Sequence, residues 1–160
     1  MTTIIAFALL LMYTVIICVV NRQIPNSLSA SVFLLPPSGV WLWTVIITAI
    51  AVLTMPALLD ITPEKWQFIA FIGCAALGFV AAAPLVRDKG DMAYKVHCTA
   101  AVVCAICSQA LVVIICPWLL MTWIPWIAAF VWITKDERWL TQVFWAEMVC
   151  FTSTFSLPLV

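Results

Sequence analysis

The residue of greatest chemical interest in this sequence is Glu147, a carboxyl group within a long apolar stretch. It lies in WAEMVCFTSTF, whose other residues are apolar apart from threonine and serine. An ionisable group at membrane depth is costly and marks a functional position by default. We interpret Glu147 as a proton- or cation-responsive carboxylate or a ligand anchor. The alternative is a protonated Glu147 that hydrogen-bonds a neighbouring helix.

Depth along the predicted helices identifies candidate partners for Glu147. Counted from Trp139 at 1.5 Å per residue, Glu147 lies roughly 12 Å inside the membrane. Tyr13 and Thr14, counted back from Asn21, reach a similar depth. We predict that these residues form a polar cluster with the face of the fourth predicted helix that carries polar groups. Those groups are Ser108 and Gln109.

His97 is the only histidine, and it opens the fourth predicted helix. We expect an interfacial side chain that reaches water; the alternative is a pH-sensitive or head-group-contacting residue. Cys104 and Cys107 share a helical face with it, but a zinc site needs three or four converging ligands. No Gly-rich phosphate loop or HExxH motif is present, so we predict no catalytic residue, metal or cofactor.

The composition explains why such residues would lie in a bilayer. Of the 160 residues, 66% are hydrophobic and only 9% are charged, whereas a soluble domain carries about 25% charged residues. The near-zero net charge argues against a nucleic-acid partner and leaves membrane lipids as the expected surroundings. The length allows a single transmembrane domain, residues 1–160.

Charged residues and prolines divide the chain into pieces that match the roughly 20 residues of a membrane-crossing helix. We predict an all-α, polytopic transmembrane helical bundle of six helices. Pro117 marks the turn between spans four and five, and Pro125 is expected to kink span five. Five spans is the alternative if Pro117 only kinks a longer helix or span five is re-entrant. The predicted spans are 2–20, 40–59, 66–86, 94–116, 118–134 and 139–157.

The stretch Pro25–Ser38 is too short and too polar to cross a membrane. It is rich in serine and ends in two prolines, and Ser27 or Ser29 can cap a short helix. We expect an interfacial or re-entrant piece, with a plain loop as the alternative.

The basic residues predict the orientation. Six of the seven Lys and Arg residues fall in loops one, three and five, and Lys65 alone falls on the other side. The positive-inside rule then makes these three loops cytoplasmic in a cell membrane and both termini non-cytoplasmic.

Small residues at four-residue spacing predict close packing of spans three and four, because such residues let helix backbones approach in lipid. The two stripes are Cys74, Gly78 and Ala82, and Ala100, Cys104 and Ser108.

Three motifs occur in order along the chain: PNSLSASVF after helix one, AAAPLVRD at the end of helix three, and YKVHCTAA at the start of helix four. Together they resemble the Frag1/DRAM/DUF998 group of six-helix membrane proteins, over residues Pro25 to Ala101. The resemblance implies six helices with a proline-bearing exit from the third and a histidine, here His97, opening the fourth. It implies no defined enzymatic activity.

The leading interpretation is a non-enzymatic, transporter- or channel-like protein that handles a small solute, ion or lipid. Glu147 is its central residue, and the other candidate pathway residues are Tyr13, Ser108, Gln109 and His97. A chain this small could need self-association into a homo-oligomer. One alternative is a membrane enzyme acting on a lipid or isoprenoid, with Glu147 and His97 as acid and base. Another is a structural subunit of a membrane complex.

Overall fold

The computed structural model describes residues 1–82, 91–133 and 141–160, and these ranges are helical with no strand. The predicted all-α class is therefore confirmed for the described residues. The α-helices are α1 (Thr2–Asn21), α2 (Trp41–Ile61), α3 (Gln67–Val80), α4 (Asp91–Ile115), α5 (Trp123–Ile133) and α6 (Gln142–Ser156). Short 3₁₀ helices cover Ser29–Leu34, Pro37–Gly39, Glu64–Trp66, Pro117–Thr122 and Leu157–Leu159.

Three helical stretches are long and apolar enough to cross a membrane: Thr2–Asn21, Pro37–Ile61 and Met92–Ile115. With 20, 25 and 24 residues, each reaches the roughly 20 residues that span a hydrocarbon core. Their outer surfaces are covered with large apolar side chains; Ile16, Val52 and Ile106 are each more than half exposed. In water such a surface would be unfavourable, whereas lipid tails solvate it.

The other helices are shorter, and α3 ends earlier than predicted. The sequence predicts a span to residue 86, but α3 ends at Val80 and a turn follows at Ala81–Ala82. The last carbonyls of a helix lack partners within it. Here Trp43 Nε1 donates to the Val80 carbonyl at 3.3 Å, and Thr44 Oγ1 donates to the Ala81 carbonyl at 2.9 Å. These two side chains of α2 therefore supply hydrogen-bond donors for carbonyl groups at the end of α3.

Several predictions fall on residues 83–90 and 134–140, which lie outside the described residues. They are the far end of span three, the start of span six at Trp139, and most basic residues of loops three and five, two of the three loops predicted to be cytoplasmic. Those basic residues are Arg87, Lys89, Lys135 and Arg138.

The turn predicted at Pro117 is present, but the next helix differs from expectation. After α4 ends at Ile115, Cys116 has φ −148° and ψ 81°, and a 3₁₀ helix begins at Pro117. Pro125 is the third residue of α5. In this first turn a backbone N–H has no acceptor within the α-helix, so Pro125 is accommodated there and does not kink the helix interior. α5 has 11 residues, fewer than the predicted span five.

The expected pairing of the third and fourth helices occurs, and α3–α4 is the most extensive helix contact among the described residues. Gly78, a member of the predicted stripe, is not at a close contact, whereas Gly73 is. A Cβ atom built on Gly73 would lie 3.1 Å from Cys107 Cβ, whereas one on Gly78 would meet nothing within 4 Å. A side chain at position 73 would therefore crowd Cys107 on α4.

The buried apolar side chains of the described residues form two clusters. The larger joins α1 and α2 to the 3₁₀ helix Ser29–Leu34, around Leu10, Val32 and Ile50. The smaller gathers Leu58 and Leu157 with nearby residues of α3 and α4, so the carboxyl end of the chain lies beside the α2–α3 connection.

Candidate functional site

The serine-rich stretch after α1 is folded back onto the bundle, and we call residues 26–34 the serine segment. It contains the 3₁₀ helix Ser29–Leu34 rather than an irregular loop. Ser27 Oγ accepts a hydrogen bond from the Ala30 N–H at 3.0 Å, which satisfies a donor in the first turn. Leu28, Ser31 and Val32 are buried.

Helix α6 binds the serine segment at two points. Glu147 Oε2 accepts a hydrogen bond from the Leu28 N–H at 2.5 Å, and the Phe144 N–H donates to the Asn26 carbonyl at 3.1 Å. A backbone N–H at the start of a helix has no acceptor within that helix. The Glu147 carboxyl group supplies the acceptor for Leu28.

Tyr13 contacts the same segment from α1. Its hydroxyl lies 2.7 Å from Ser31 Oγ, and Ser31 Oγ in turn donates to the Leu28 carbonyl at 2.5 Å. Tyr13 lies eight residues from Asn21, about 12 Å along the helix, so the serine segment reaches that depth within the bundle. The structure thus brings Tyr13 and Glu147 to one segment, through Leu28 and Ser31, without direct contact between them.

Thr14 does not join this chain of hydrogen bonds. It is buried, and its hydroxyl has no hydrogen-bond partner among the described residues. Their similar depth predicted that Thr14 and Tyr13 would join the same polar cluster, but adjacent residues of a helix point in different directions.

Gln109 is the centre of a second polar cluster, which joins α4, α5 and α6. Its Nε2 donates to Ser153 Oγ at 3.1 Å and to Ser108 Oγ at 3.3 Å. Its Oε1 accepts from Trp123 Nε1 at 2.8 Å. The predicted pair Ser108 and Gln109 therefore lies together, in a cluster separate from the hydrogen bonds of Glu147.

His97 differs from its expected position in water. Its side chain is buried, and Nδ1 has no hydrogen-bond partner in the part of the chain that the structure describes. The cause is its place on α4: Ala100 and Ala101, three and four residues later, belong to or pack on the main apolar core. Residues at these spacings share a helical face, so His97 faces protein.

A cavity of about 520 Å³ lies between α2, α3, α4, α5 and α6. Its walls are largely apolar. Glu147 is the only carboxyl group among its described lining residues, and no Lys, Arg or His side chain is among them. The remaining polar lining groups are Thr54, Ser108, Gln142, Thr154 and the thiols of Cys74, Cys104 and Cys150.

The thiols do not form a metal centre with Glu147. No group of three or more His, Cys, Asp or Glu side chains in the described ranges is arranged to hold a metal ion. The cavity accordingly has one carboxyl group and three soft, polarizable thiols in its described walls.

Sequence reasoning missed two parts of this site. The first is the Leu28 N–H, because a backbone donor has no residue signature. The second is the aromatic wall of α5, formed by Trp123, Trp126 and Phe130. Their three- and four-residue spacing puts them on one helical face, a signal that the sequence did contain.

Comparisons with protein-family models, with curated proteins and with solved structures found no match to this chain. The resemblance to the Frag1/DRAM/DUF998 group stays a prediction from the three motifs, and any functional conclusion depends on the site.

Proposed function

We propose that this chain is a multi-pass integral membrane protein, a six-helix bundle, that binds and transfers a small lipid-soluble molecule without chemical change. The observation that supports the proposal is the apolar cavity of about 520 Å³ bordered by Glu147. Ligand sites are typically apolar clefts of about 300–1,000 Å³ with a few placed polar groups. The cavity has both properties.

The lining favours a lipid or an apolar solute over an inorganic ion. A small ion leaves water only where a set of oxygen atoms replaces its hydration shell. The wall offers one carboxyl group and scattered hydroxyl, amide and thiol groups, and the rest of its surface is apolar. An apolar molecule needs no such replacement.

The two alternatives have less support. The enzyme hypothesis needs Glu147 and His97 in one pocket, but His97 is not among the residues that line the cavity. A purely structural subunit would leave Glu147 in a dry helix contact, whereas here Glu147 borders open space.

The proposed membrane arrangement retains the predicted orientation, with loops one, three and five in the cytoplasm and lipids around the bundle. All described walls of the cavity come from one chain. A homo-oligomer, as expected for so small a chain, would repeat this cavity in each copy.

A cavity-filling substitution tests the proposed function. Ala105 lines the cavity on α4, and the next residue, Ile106, is 64% exposed on the outer surface. We expect Ala105→Phe to occupy the binding space and Ile106→Phe to leave it open. Both proteins are purified in detergent, extracted with organic solvent and compared with the unsubstituted chain by mass spectrometry.

The expected result is a defined lipid-soluble molecule, near one per chain, that the unsubstituted protein and Ile106→Phe retain and Ala105→Phe loses. The same profile of bulk lipid in all three extracts would contradict the proposal. Thermal unfolding of each protein shows whether a loss of ligand reflects a loss of fold.

A further inference from the structure

We propose that the ligand of this cavity is a lipophilic organic cation, held between the Glu147 carboxylate and the aromatic side chains of the wall. This inference rests on the proposed function and adds the chemical class of the ligand. It is drawn from three features of the described residues: the charge of the cavity lining, the Oε1 atom of Glu147 that has no hydrogen bond, and the arrangement of the aromatic rings on α5.

The balance of charge favours a cation. Glu147 is the only carboxyl group among the described lining residues, and no basic side chain accompanies it. In a low-dielectric space an opposite charge is attracted far more strongly than in water, and a like charge is repelled as strongly. An anionic ligand would find no partner charge among the described lining residues.

Glu147 is oriented so that one of its oxygen atoms remains available. Oε2 accepts the Leu28 N–H, which fixes the carboxyl group from the side of the serine segment. Oε1 has no hydrogen bond among the described residues. It is also not fully buried, because it is absent from the buried side-chain atoms that lack a partner. Because Glu147 also borders the cavity, Oε1 can face a ligand while Oε2 keeps its structural contact.

The aromatic wall supplies the second part of the recognition. The rings of Trp123 and Trp126 meet edge to face with centroids 5.3 Å apart, and Phe130 stacks on Trp126 at 5.3 Å. Ring faces attract organic cations, and aromatic cages are a common way to bind quaternary ammonium groups. Phe151, one helical turn from Glu147 on α6, adds a further ring to the cavity wall.

Hydrogen bonds hold the two indole rings in place. Trp123 Nε1 donates to Gln109 Oε1 at 2.8 Å, and Trp126 Nε1 donates to the Gln142 carbonyl at 3.2 Å. Both indole N–H groups are therefore occupied by protein. A ring fixed in this way loses little conformational freedom when a ligand packs on it.

The test measures binding of three probes of the same shape to the full chain in detergent. Tetraphenylphosphonium is the cation, tetraphenylborate is the anion and tetraphenylmethane is the neutral compound. We expect tetraphenylphosphonium to bind about ten-fold or more tightly than tetraphenylborate, because only the cation pairs with the carboxylate.

Two substitutions locate that preference. Glu147→Gln keeps an acceptor for the Leu28 N–H but removes the charge, and should weaken tetraphenylphosphonium binding about ten-fold without affecting tetraphenylmethane. Its matched control is Glu64→Gln, at an exposed residue outside the cavity wall.

Phe151→Leu should weaken cation binding about three-fold, because it removes a ring from the cavity wall. Its matched control is Phe71→Leu, at a residue 58% exposed on α3, which should leave cation binding unchanged.

The outcomes separate the two proposals. Equal affinity for the two ions, or a tetraphenylphosphonium affinity unchanged by Glu147→Gln, overturns the cation inference. If tetraphenylmethane still binds then and Ala105→Phe blocks it, the proposed function stands. If no probe binds and no molecule co-purifies, both proposals fail. Should Glu147→Gln not fold, the response of the cation to Phe151→Leu decides the inference.

Discussion

The serine segment and the cavity both adjoin α6 at Glu147, and the regions around them, here called the segment side and the cavity side, are built differently. On the segment side, Tyr13 and Trp43 are 2% and 1% exposed, their rings are 5.7 Å apart, and every step from Glu147 to Tyr13 is hydrogen-bonded. On the cavity side, the walls are apolar and α5 packs mainly on α6 and the preceding 3₁₀ helix.

The difference indicates which region of the molecule is more stable and which can adapt to a ligand. Densely packed, hydrogen-bonded regions resist local opening, whereas regions with few buried contacts open at lower free energy. We therefore expect the segment side to act as the rigid support and the cavity side to adapt to a ligand. Glu147 belongs to both, because one carboxyl oxygen binds the segment and the side chain borders the cavity.

The largest expected effect comes from truncating one aromatic residue on each side. Trp43→Ala should lower the free energy of unfolding by about 3–5 kcal/mol, because it removes a fully buried indole. Phe130→Ala, at a residue 39% exposed, should cost about 1 kcal/mol. Titration with SDS in mixed micelles measures both. Equal losses would contradict the proposed difference between the two sides.

A smaller effect is expected at the close contact between Gly73 on α3 and Cys107 on α4. Gly73→Leu should destabilise the protein by about 1–3 kcal/mol, because even a Cβ atom there would lie 3.1 Å from Cys107 Cβ. Gly78→Leu, in open space on the same helix, is the matched control and should be nearly neutral. The same titration applies, and a neutral Gly73→Leu would show that this contact can separate.

The hydroxyl groups of α1 give a third contrast, of about 1 kcal/mol. Tyr13→Phe removes the partner of Ser31 Oγ and should lower the free energy of unfolding by about 1 kcal/mol. Thr14→Val should cost nothing, because the Thr14 hydroxyl is buried without a partner among the described residues. A double-mutant cycle with Ser31→Ala isolates the bond, and the absence of coupling would show that the segment does not depend on it.

The smallest effect is expected at the contact between α5 and α4. Trp123→Phe keeps the ring but removes the N–H that Gln109 Oε1 accepts, which should cost about 0.6 kcal/mol, an average for hydrogen bonds within membranes. Hydrogen exchange should become faster in α5 and remain unchanged in α1. Faster exchange in both helices would mean that the two sides are not independent.

Much of the fold could be predicted because it follows from local pattern. The apolar runs and the interrupting charges located α1, α2 and α4, and Pro117 marked the end of α4 as observed. The end of α3 could not be predicted, because it is set by Trp43 and Thr44, side chains on another helix. The same limit applied to Gly73 and Gly78, which look alike in sequence and differ only in what faces them.

The amino-acid sequence by itself determined that this chain is helical and has apolar stretches long enough to cross a membrane, because composition and the spacing of charges decide both. It also singled out Glu147 and, through depth, Tyr13. Only the tertiary structure decided that the partner of Glu147 is the Leu28 N–H and that a cavity with an aromatic wall lies beside it. Backbone donors and empty space are properties of how helices meet, and no residue type encodes them.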